Sequence, residues 1–310
     1  MELKTLDVYN QEPSACVNNE YPTSRYAFRQ PCLHYIVGVR NMGKSFLTSK
    51  ILAQAKKEKT FDIIYIITPS FNSNKAYFDK YIDKTSVYEP TKESISLVIK
   101  RVEDDRDEFE RFLKDKIKYE EFKKDMKRKT NKISDENMIY YYDAGFYDSP
   151  PKWKYEFEVP PRSLLILDDV IGTPALLQSS GLSRLAIANR HLAPLAENHS
   201  QRSACGLAVI ILSQSYKFQN GIGRLLRENL SLMTLFLNKQ EKMMESLIEE
   251  LGSSIDEDKF REAYKIATAE KHGNLSCDFR PKCSTLTFRK NLNQAIIFPD
   301  MICECDKNNK

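Results

Sequence analysis

Long apolar runs are missing from this 310-residue chain. No stretch of eighteen consecutive apolar residues occurs, so no membrane-spanning helix is expected. The first twenty residues, MELKTLDVYNQEPSACVNNE, have neither a basic start nor an apolar core, so no secretory signal is read there. Cysteines number seven, an odd count, and are mostly scattered, which suits free thiols in a reducing compartment better than a disulfide framework. Cys277, Cys283, Cys303 and Cys305 fall at C-x5-C and C-x-C spacings, a poor match to a zinc site. Histidine is scarce, and His191 and His199 lack the acidic partners of a metal or hydrolase site; no Ser-His-Asp or Cys-His arrangement is present. Neither charge dominates: 47 Lys and Arg against 43 Asp and Glu leave a net +4, which permits nucleic-acid contact without arguing for it. Internal repeats are absent. What remains is a chain with 41% hydrophobic residues, enough to bury one large domain or two modest ones.

The apolar residues come in short runs bounded by turn signals. LHYIV (Leu33 to Val37), FDIIYIIT (Phe61 to Thr68), SLLILDD (Ser163 to Asp169), LAVIILS (Leu207 to Ser213) and LMTLFLN (Leu232 to Asn238) read as buried strands. Near-continuous apolar strands are what a parallel sheet covered on both faces requires. Between the first two, Lys44 to Lys59 has helical spacing, with Phe46, Leu47, Ile51, Leu52 and Ala55 on one face. Strands alternating with helices predict a doubly wound α/β core over residues 31–84 and 160–310. Residues 1–30 show no period and read as an irregular leading segment. Residues 85–159 read as an insertion: a long, largely solvated helix with a thin stripe of Phe109, Leu113, Ile117 and Met126, then the aromatic stretch YYYDAGFYDSPPKWKYEFEVPP. The basic end of that helix (Lys123, Lys124, Lys127, Arg128, Lys129, Lys132) reads as a solvated face, and the aromatics as packing of the arm onto the core. Near the end, KQEKMMESLIEELG and DEDKFREAYKIATAE predict two helices, the first closed by Gly252, the second burying Phe260, Tyr264 and Ala267. NLSCDFRPKCSTLTFRKNLNQAIIF predicts a terminal hairpin or edge strands.

The chemistry is concentrated in GVRNMGKS, which satisfies G-x-x-x-x-G-K-[ST] with a strand before it and a helix after. Backbone N–H groups of Gly38, Val39, Arg40, Asn41, Met42, Gly43, Lys44, Ser45 and Phe46 would line a phosphate cradle where the helix dipole favours negative charge. Lys44 would reach the β- and γ-phosphates and Ser45 would ligate Mg²⁺. The Asp168-Asp169 pair ends the SLLILDD strand, where ligands of parallel sheets gather. Asp168 is expected to hold Mg²⁺ through water and Asp169 to orient and deprotonate the attacking water; the bland reading of Asp169 is a cap on the turn before Gly172 and Pro174. Gln214, after LAVIILS, is a candidate sensor of the γ-phosphate. A guanidinium is also wanted, and Arg40, Arg190, Arg224 and Arg227 all remain candidates.

In combination, GVRNMGKS, LLILDDV, IANRHL, VIILSQSYK and LLRENLSLMTLF resemble the FtsK–HerA superfamily genome-packaging ATPases of large DNA viruses: the poxvirus-type packaging ATPase and its counterparts in virophages and Polinton-like elements. The resemblance covers roughly residues 31–84 and 160–300; the charged insertion falls outside it. It implies a RecA-like P-loop core of the additional-strand group, ATP and Mg²⁺ as cofactors, and a hexameric or other homo-oligomeric ring. Such a ring would pump double-stranded DNA into a preformed capsid, docked to capsid proteins at a packaging vertex. The expected setting is the viral factory of the host cytoplasm, with virion association, no membrane and no secretion. It also implies that Arg190, His191 and the Arg227–Asn229 stretch lie near a site shared between subunits. Two alternatives stay open: a P-loop nucleotide or polynucleotide kinase, and a nucleotide-gated capsid-associated scaffold that does not hydrolyse.

Overall fold

The strand that precedes the GVRNMGKS loop sits in the interior of a ten-stranded sheet in the computed structural model, which describes residues 1–6, 19–127, 133–170, 173, 176, 179–216, 222–238, 241–251 and 255–302. The strands in chain order are β1 (Glu2–Thr5), β2 (Leu33–Val37), β3 (Ile63–Ile67), β4 (Val87–Tyr88), β5 (Ser163–Asp168), β6 (Pro194–His199), β7 (Arg202–Ala204), β8 (Ala208–Ser213), β9 (Leu232–Phe236), β10 (Asn274–Asp278), β11 (Phe288–Lys290) and β12 (Gln294–Ile297). The sheet runs β1-β12-β11-β10-β9-β2-β8-β5-β3-β4, and β6-β7 form a separate hairpin. From β4 to β9 every pairing is parallel; from β9 to β1 every pairing is antiparallel. One strand, β8, therefore stands between the P-loop strand β2 and the Asp-Asp strand β5. This is the additional-strand arrangement of a RecA-like P-loop core.

Period-two alternation divides the strand residues between two cores. Leu33, Tyr35 and Val37 face one side with Leu165, Leu167, Val209 and Ile211. Ile36 faces the other with Leu164, Ile166, Ile210 and Leu212. The second side is covered by α1 (Lys44–Glu58) and α2 (Phe71–Phe78) through Leu47, Leu52 and Phe78. The first is covered by α3 (Ser94–Lys127), α5 (Ser180–Ala188), α6 (Ile222–Glu228), α7 (Glu241–Leu251, through Leu247 and Ile248) and α8 (Glu257–Ala267). The remaining helix is α4 (Asp135–Asp143). In α8 the expected Phe260, Tyr264 and Ala267 are buried, and Asp256 caps it by accepting from the Lys259 N–H.

Several expectations change. The leading segment holds a strand: Glu2–Thr5 pairs antiparallel with β12, so the terminal hairpin is covered by β1 at its outer edge. The segment from residue 85 begins inside the core, because β4 pairs with β3 and Ile95, Val98, Ile99 and Val102 of α3 are buried against the sheet. Only the later half of α3 leaves the core as an arm. Its buried residues are Phe109, Phe112 and Phe122, whereas Ile117 and Met126 are exposed, so the stripe follows the aromatics. Trp153 packs on Phe109 and Phe112 (ring centroids 5.1 and 5.5 Å), which seats the returning aromatic stretch on α3. Lys123 pairs with Glu120 at 2.6 Å, a solvated pair worth little. Cys32, Cys205 and Cys277 are buried free thiols, but Cys283 is disulfide-bonded, which corrects the reading of thiols throughout. Arg128, Lys129, Lys132, Gly172, Pro174, Lys217, Gly252, Cys303 and Cys305 lie outside the described residues. No helix among the described residues is long and apolar enough to cross a membrane.

Candidate functional site

The ends of β2, β5 and β8 bring the predicted motifs to one edge of the parallel sheet. After Val37 the chain turns through a loop with Asn41 and Gly43 in the left-handed region (φ 64° and 98°), a conformation glycine takes without strain. Gly38 is needed for a different reason. Its N–H donates to the Ser213 carbonyl at 3.0 Å, and a Cβ there would lie 2.9 Å from Cβ of Phe236. The loop thus passes tightly between β8 and the end of β9. Lys44 opens α1 and folds back, donating to the carbonyls of Gly38 at 2.6 Å and Val39 at 3.2 Å. Burial pulls its pKa down, opposed by the nearby charges of Asp169 and Asp168.

Asp168 is the last residue of β5 and is buried. Its Oδ2 accepts from Asn74 Nδ2 at 2.8 Å and Thr68 Oγ1 at 3.3 Å. Burial raises its pKa, partly offset by those two hydrogen bonds. Asp169 departs from the strand with φ 52°, which turns its side chain out into the open cleft. There its Oδ1 accepts from Gln214 Nε2 at 3.0 Å. The two residues read separately as base and sensor are therefore direct partners.

Lys44, Ser45, Asp168, Asp169 and Gln214 share one cleft of about 1160 Å³, and Arg40 lies on its wall. The other arginines lie elsewhere. Arg190 is exposed in the 3-10 turn Asn189–His191, whose Asn189 carbonyl accepts from Leu207 just before β8. That is the opposite end of a six-residue strand, roughly 20 Å from the cleft. Arg227 stacks on the Tyr216 ring at 5.2 Å, and Arg224 pairs with Glu228 at 2.7 Å along α6. Phe46, expected on the buried face of α1, is 52% exposed at the cleft, with Lys50 Nζ 4.7 Å from its ring centroid. Helical spacing placed it with the core; its position one residue past the GKS motif turns it toward the cleft instead.

Sequence reasoning missed Thr68 and Asn74, the partners of Asp168, which follow β3. A polar Thr68 closing an apolar strand next to the Asp-Asp strand was the available signal. It also missed a wall from the antiparallel half of the sheet: His272, Asn274, Asn291 and Asn293. His272 Nδ1 lies 3.3 Å from the Met42 carbonyl, so this wall touches the loop itself.

No protein-family model matches the chain, and no curated protein matches it. Among solved structures, it is similar to the genome packaging NTPase B204 from Sulfolobus turreted icosahedral virus 2 in complex with ATP-gammaS, at 15% identity and TM-score 0.40, over 86% of this chain and 98% of that one. The complex of the same protein with sulfate gives 14% identity and TM-score 0.41, over 86% and 97%. EssC (ATPases 2 and 3) from Geobacillus thermodenitrificans gives 15% identity and TM-score 0.40, over 79% of this chain and 42% of that one.

Proposed function

We propose that the chain is an ATP-hydrolysing motor that moves viral double-stranded DNA into a preformed capsid. The observation that carries the hydrolytic part is the convergence of the P-loop, Asp168, Asp169 and Gln214 on one cleft at the ends of three adjacent parallel strands. The packaging part rests on the resemblance of the ordered motifs to FtsK–HerA packaging ATPases. In this reading the backbone N–H groups from Gly38 to Phe46 cradle the phosphates. Lys44 exchanges the carbonyls of Gly38 and Val39 for β- and γ-phosphate oxygens, a charge-assisted replacement that strengthens each hydrogen bond.

The residues present fit a Mg²⁺ ion. The Ser45 hydroxyl and Asp168 Oδ1 are hard oxygen donors without a protein partner among the described residues, and Asp168 Oδ2 is oriented by Asn74 and Thr68. No cluster of three or more His, Cys, Asp or Glu is found among the described residues, as suits an ion that keeps water and phosphate oxygens as ligands. When bound, the ion supplies neutralisation of phosphate charge. Asp169 accepts the proton of the attacking water, and Gln214, which donates to Asp169 Oδ1, would register the γ-phosphate. Arg40 is the guanidinium available within the same chain, and Arg190 would serve a neighbouring subunit of a ring. The domain reading goes with it: an ATPase core of residues 31–84 and 160–310, joined by β1, β4 and the start of α3, and an arm within 85–159.

The test is steady-state ATP hydrolysis with and without double-stranded DNA, beside a sizing measurement in nucleotide. Stimulation by DNA, assembly into a ring, and a loss of about 10²-fold or more in Lys44→Ala are expected. A folded protein that binds ATP yet shows no DNA-stimulated turnover would sink the motor reading.

A further inference from the structure

At the end of the parallel strands away from the cleft, two arginines lie near each other with no carboxylate paired to either. Arg190, in the 3-10 turn Asn189–His191, is exposed, and its guanidinium has no hydrogen-bond or ion-pair partner among the described residues. Arg280 follows β10 and is half-buried. Its Nη2 donates to the Pro31 carbonyl at 3.1 Å, while its Nε is buried with no partner. Pro31 and Arg190 meet at Gly206, where a Cβ would lie 3.0 Å from Pro31 Cγ and 3.3 Å from the Arg190 carbonyl oxygen. The turn that carries Arg190 and the side chain of Arg280 thus converge on the contact between Pro31 and Gly206.

The neighbouring charges are engaged elsewhere. Both Glu20 oxygens accept from Arg29 Nη1, at 3.1 and 3.0 Å. Asp278 is buried, and its Oδ1 accepts from the main-chain N–H of Arg280 at 2.9 Å, not from its guanidinium. Lys282 Nζ donates to the carbonyls of Thr23 and Ser24 and to Thr23 Oγ1. Burial lowers the pKa of Arg280, and the nearby charge of Arg190 lowers it further. Two like charges held together, one of them with an unused buried donor, are unfavourable unless a negative group joins them. One carboxylate fills one guanidinium fork, whereas a phosphate group has oxygens for two.

We infer that Arg190 and Arg280 form an oxoanion site at the far end of the sheet, built to grip a phosphate group of a larger ligand. It stands apart from the cleft, roughly the length of a strand away. Two sources present such a group to a motor of the proposed kind: the backbone of DNA, or a nucleotide held by a second copy of the chain. Only the second source rests on the proposed reading of the cleft.

The site itself is tested by calorimetric titration of the full chain with inorganic pyrophosphate, in a Lys44→Ala background that disables the loop. Adding Arg190→Ala should raise the pyrophosphate Kd about tenfold or more, since hydrogen bonds to a charged group are lost. Arg280→Gln, which can still donate to the Pro31 carbonyl, should do the same, with thermal melting to check that it folds. Arg190→Ala removes a side chain that has no partner, so it decides the matter if Arg280→Gln does not fold. Pyrophosphate that does not bind, or binds equally with and without Arg190, overturns the site. The source is read with Arg190→Ala alone. A salt slope of DNA binding lower by about one assigns the backbone phosphate. An unchanged slope, with ATPase activity restored by mixing with Lys44→Ala chains, assigns the nucleotide of a second copy. Neither change, with pyrophosphate still bound, would mean an adventitious ion only and would overturn the site as one for a phosphate of a larger ligand.

Discussion

The loop arginine is the residue whose surroundings are simplest to test. Arg40 is exposed on the cleft wall, while Arg227 is stacked on Tyr216 and Arg190 lies at the far end of the sheet. If Arg40 meets the charge developing on the phosphates, Arg40→Ala lowers kcat by about 10³-fold or more with little change in ATP Kd. Turnover intact in that variant would reduce Arg40 to a surface residue of the loop. A second residue reports on the core. His34 is fully buried on β2 with Nε2 2.8 Å from Thr234 Oγ1, and burial lowers its pKa to about 3. Between about pH 6.5 and 3 the unfolded chain therefore binds a proton that the folded chain refuses. Stability falls as pH falls through that window, by about 1.4 kcal/mol per pH unit from this group. Chemical denaturation at pH 7 and pH 5 should show a smaller acid loss for His34→Gln than for the unmodified chain; equal losses would show that His34 is not the group responsible.

At the scale of elements, the strands were legible because continuous β-branched and apolar runs cannot be satisfied except between two covered faces. LHYIV is reproduced residue for residue as β2, and the P-loop sits between strand and helix as its pattern requires. Less legible was anything assembled from distant segments. Thr68 and Asn74 reach Asp168 from about a hundred positions away, and the asparagine wall comes from the antiparallel half of the sheet, beyond the motif-bearing strands. Charge hid the start of α3, because Ile95, Val98, Ile99 and Val102 precede a run of acids and bases that reads as solvated throughout. Two element-level outcomes follow. Gly38→Ala forces a Cβ against Phe236 and should cost about 1–3 kcal/mol of stability, read as a lower Tm. Phe122→Ala removes the centre of the cluster formed with Tyr141 and Phe146 at the arm tip. Hydrogen exchange should then speed up across residues 119–127 and 135–147 and stay unchanged in β2, β5 and β8. Loosening of those strands would mean that arm and core unfold together.

Across the whole molecule, the cleft and Arg190 occupy opposite ends of the parallel strands. Within one chain they cannot meet, so any part for Arg190 in hydrolysis has to be played on another copy. Mixing Lys44→Ala with Arg190→Ala chains should then restore activity that neither has alone, since an interface pairing an intact loop with an intact arginine reappears. Activity of Arg190→Ala alone equal to that of the unmodified chain would remove this residue from the reaction. One further relation spans the molecule. The 34 residues of α3 make a rod of about 51 Å, clamped to the sheet by Ile95 to Val102 and carrying the Phe122 cluster near its free end. Such a rod is a pointer with its pivot in the core: a rotation of about 5° at the sheet sweeps its far end through roughly 4 Å, as follows from its length. A small rearrangement beside the cleft would thereby be written large at a surface that never touches it.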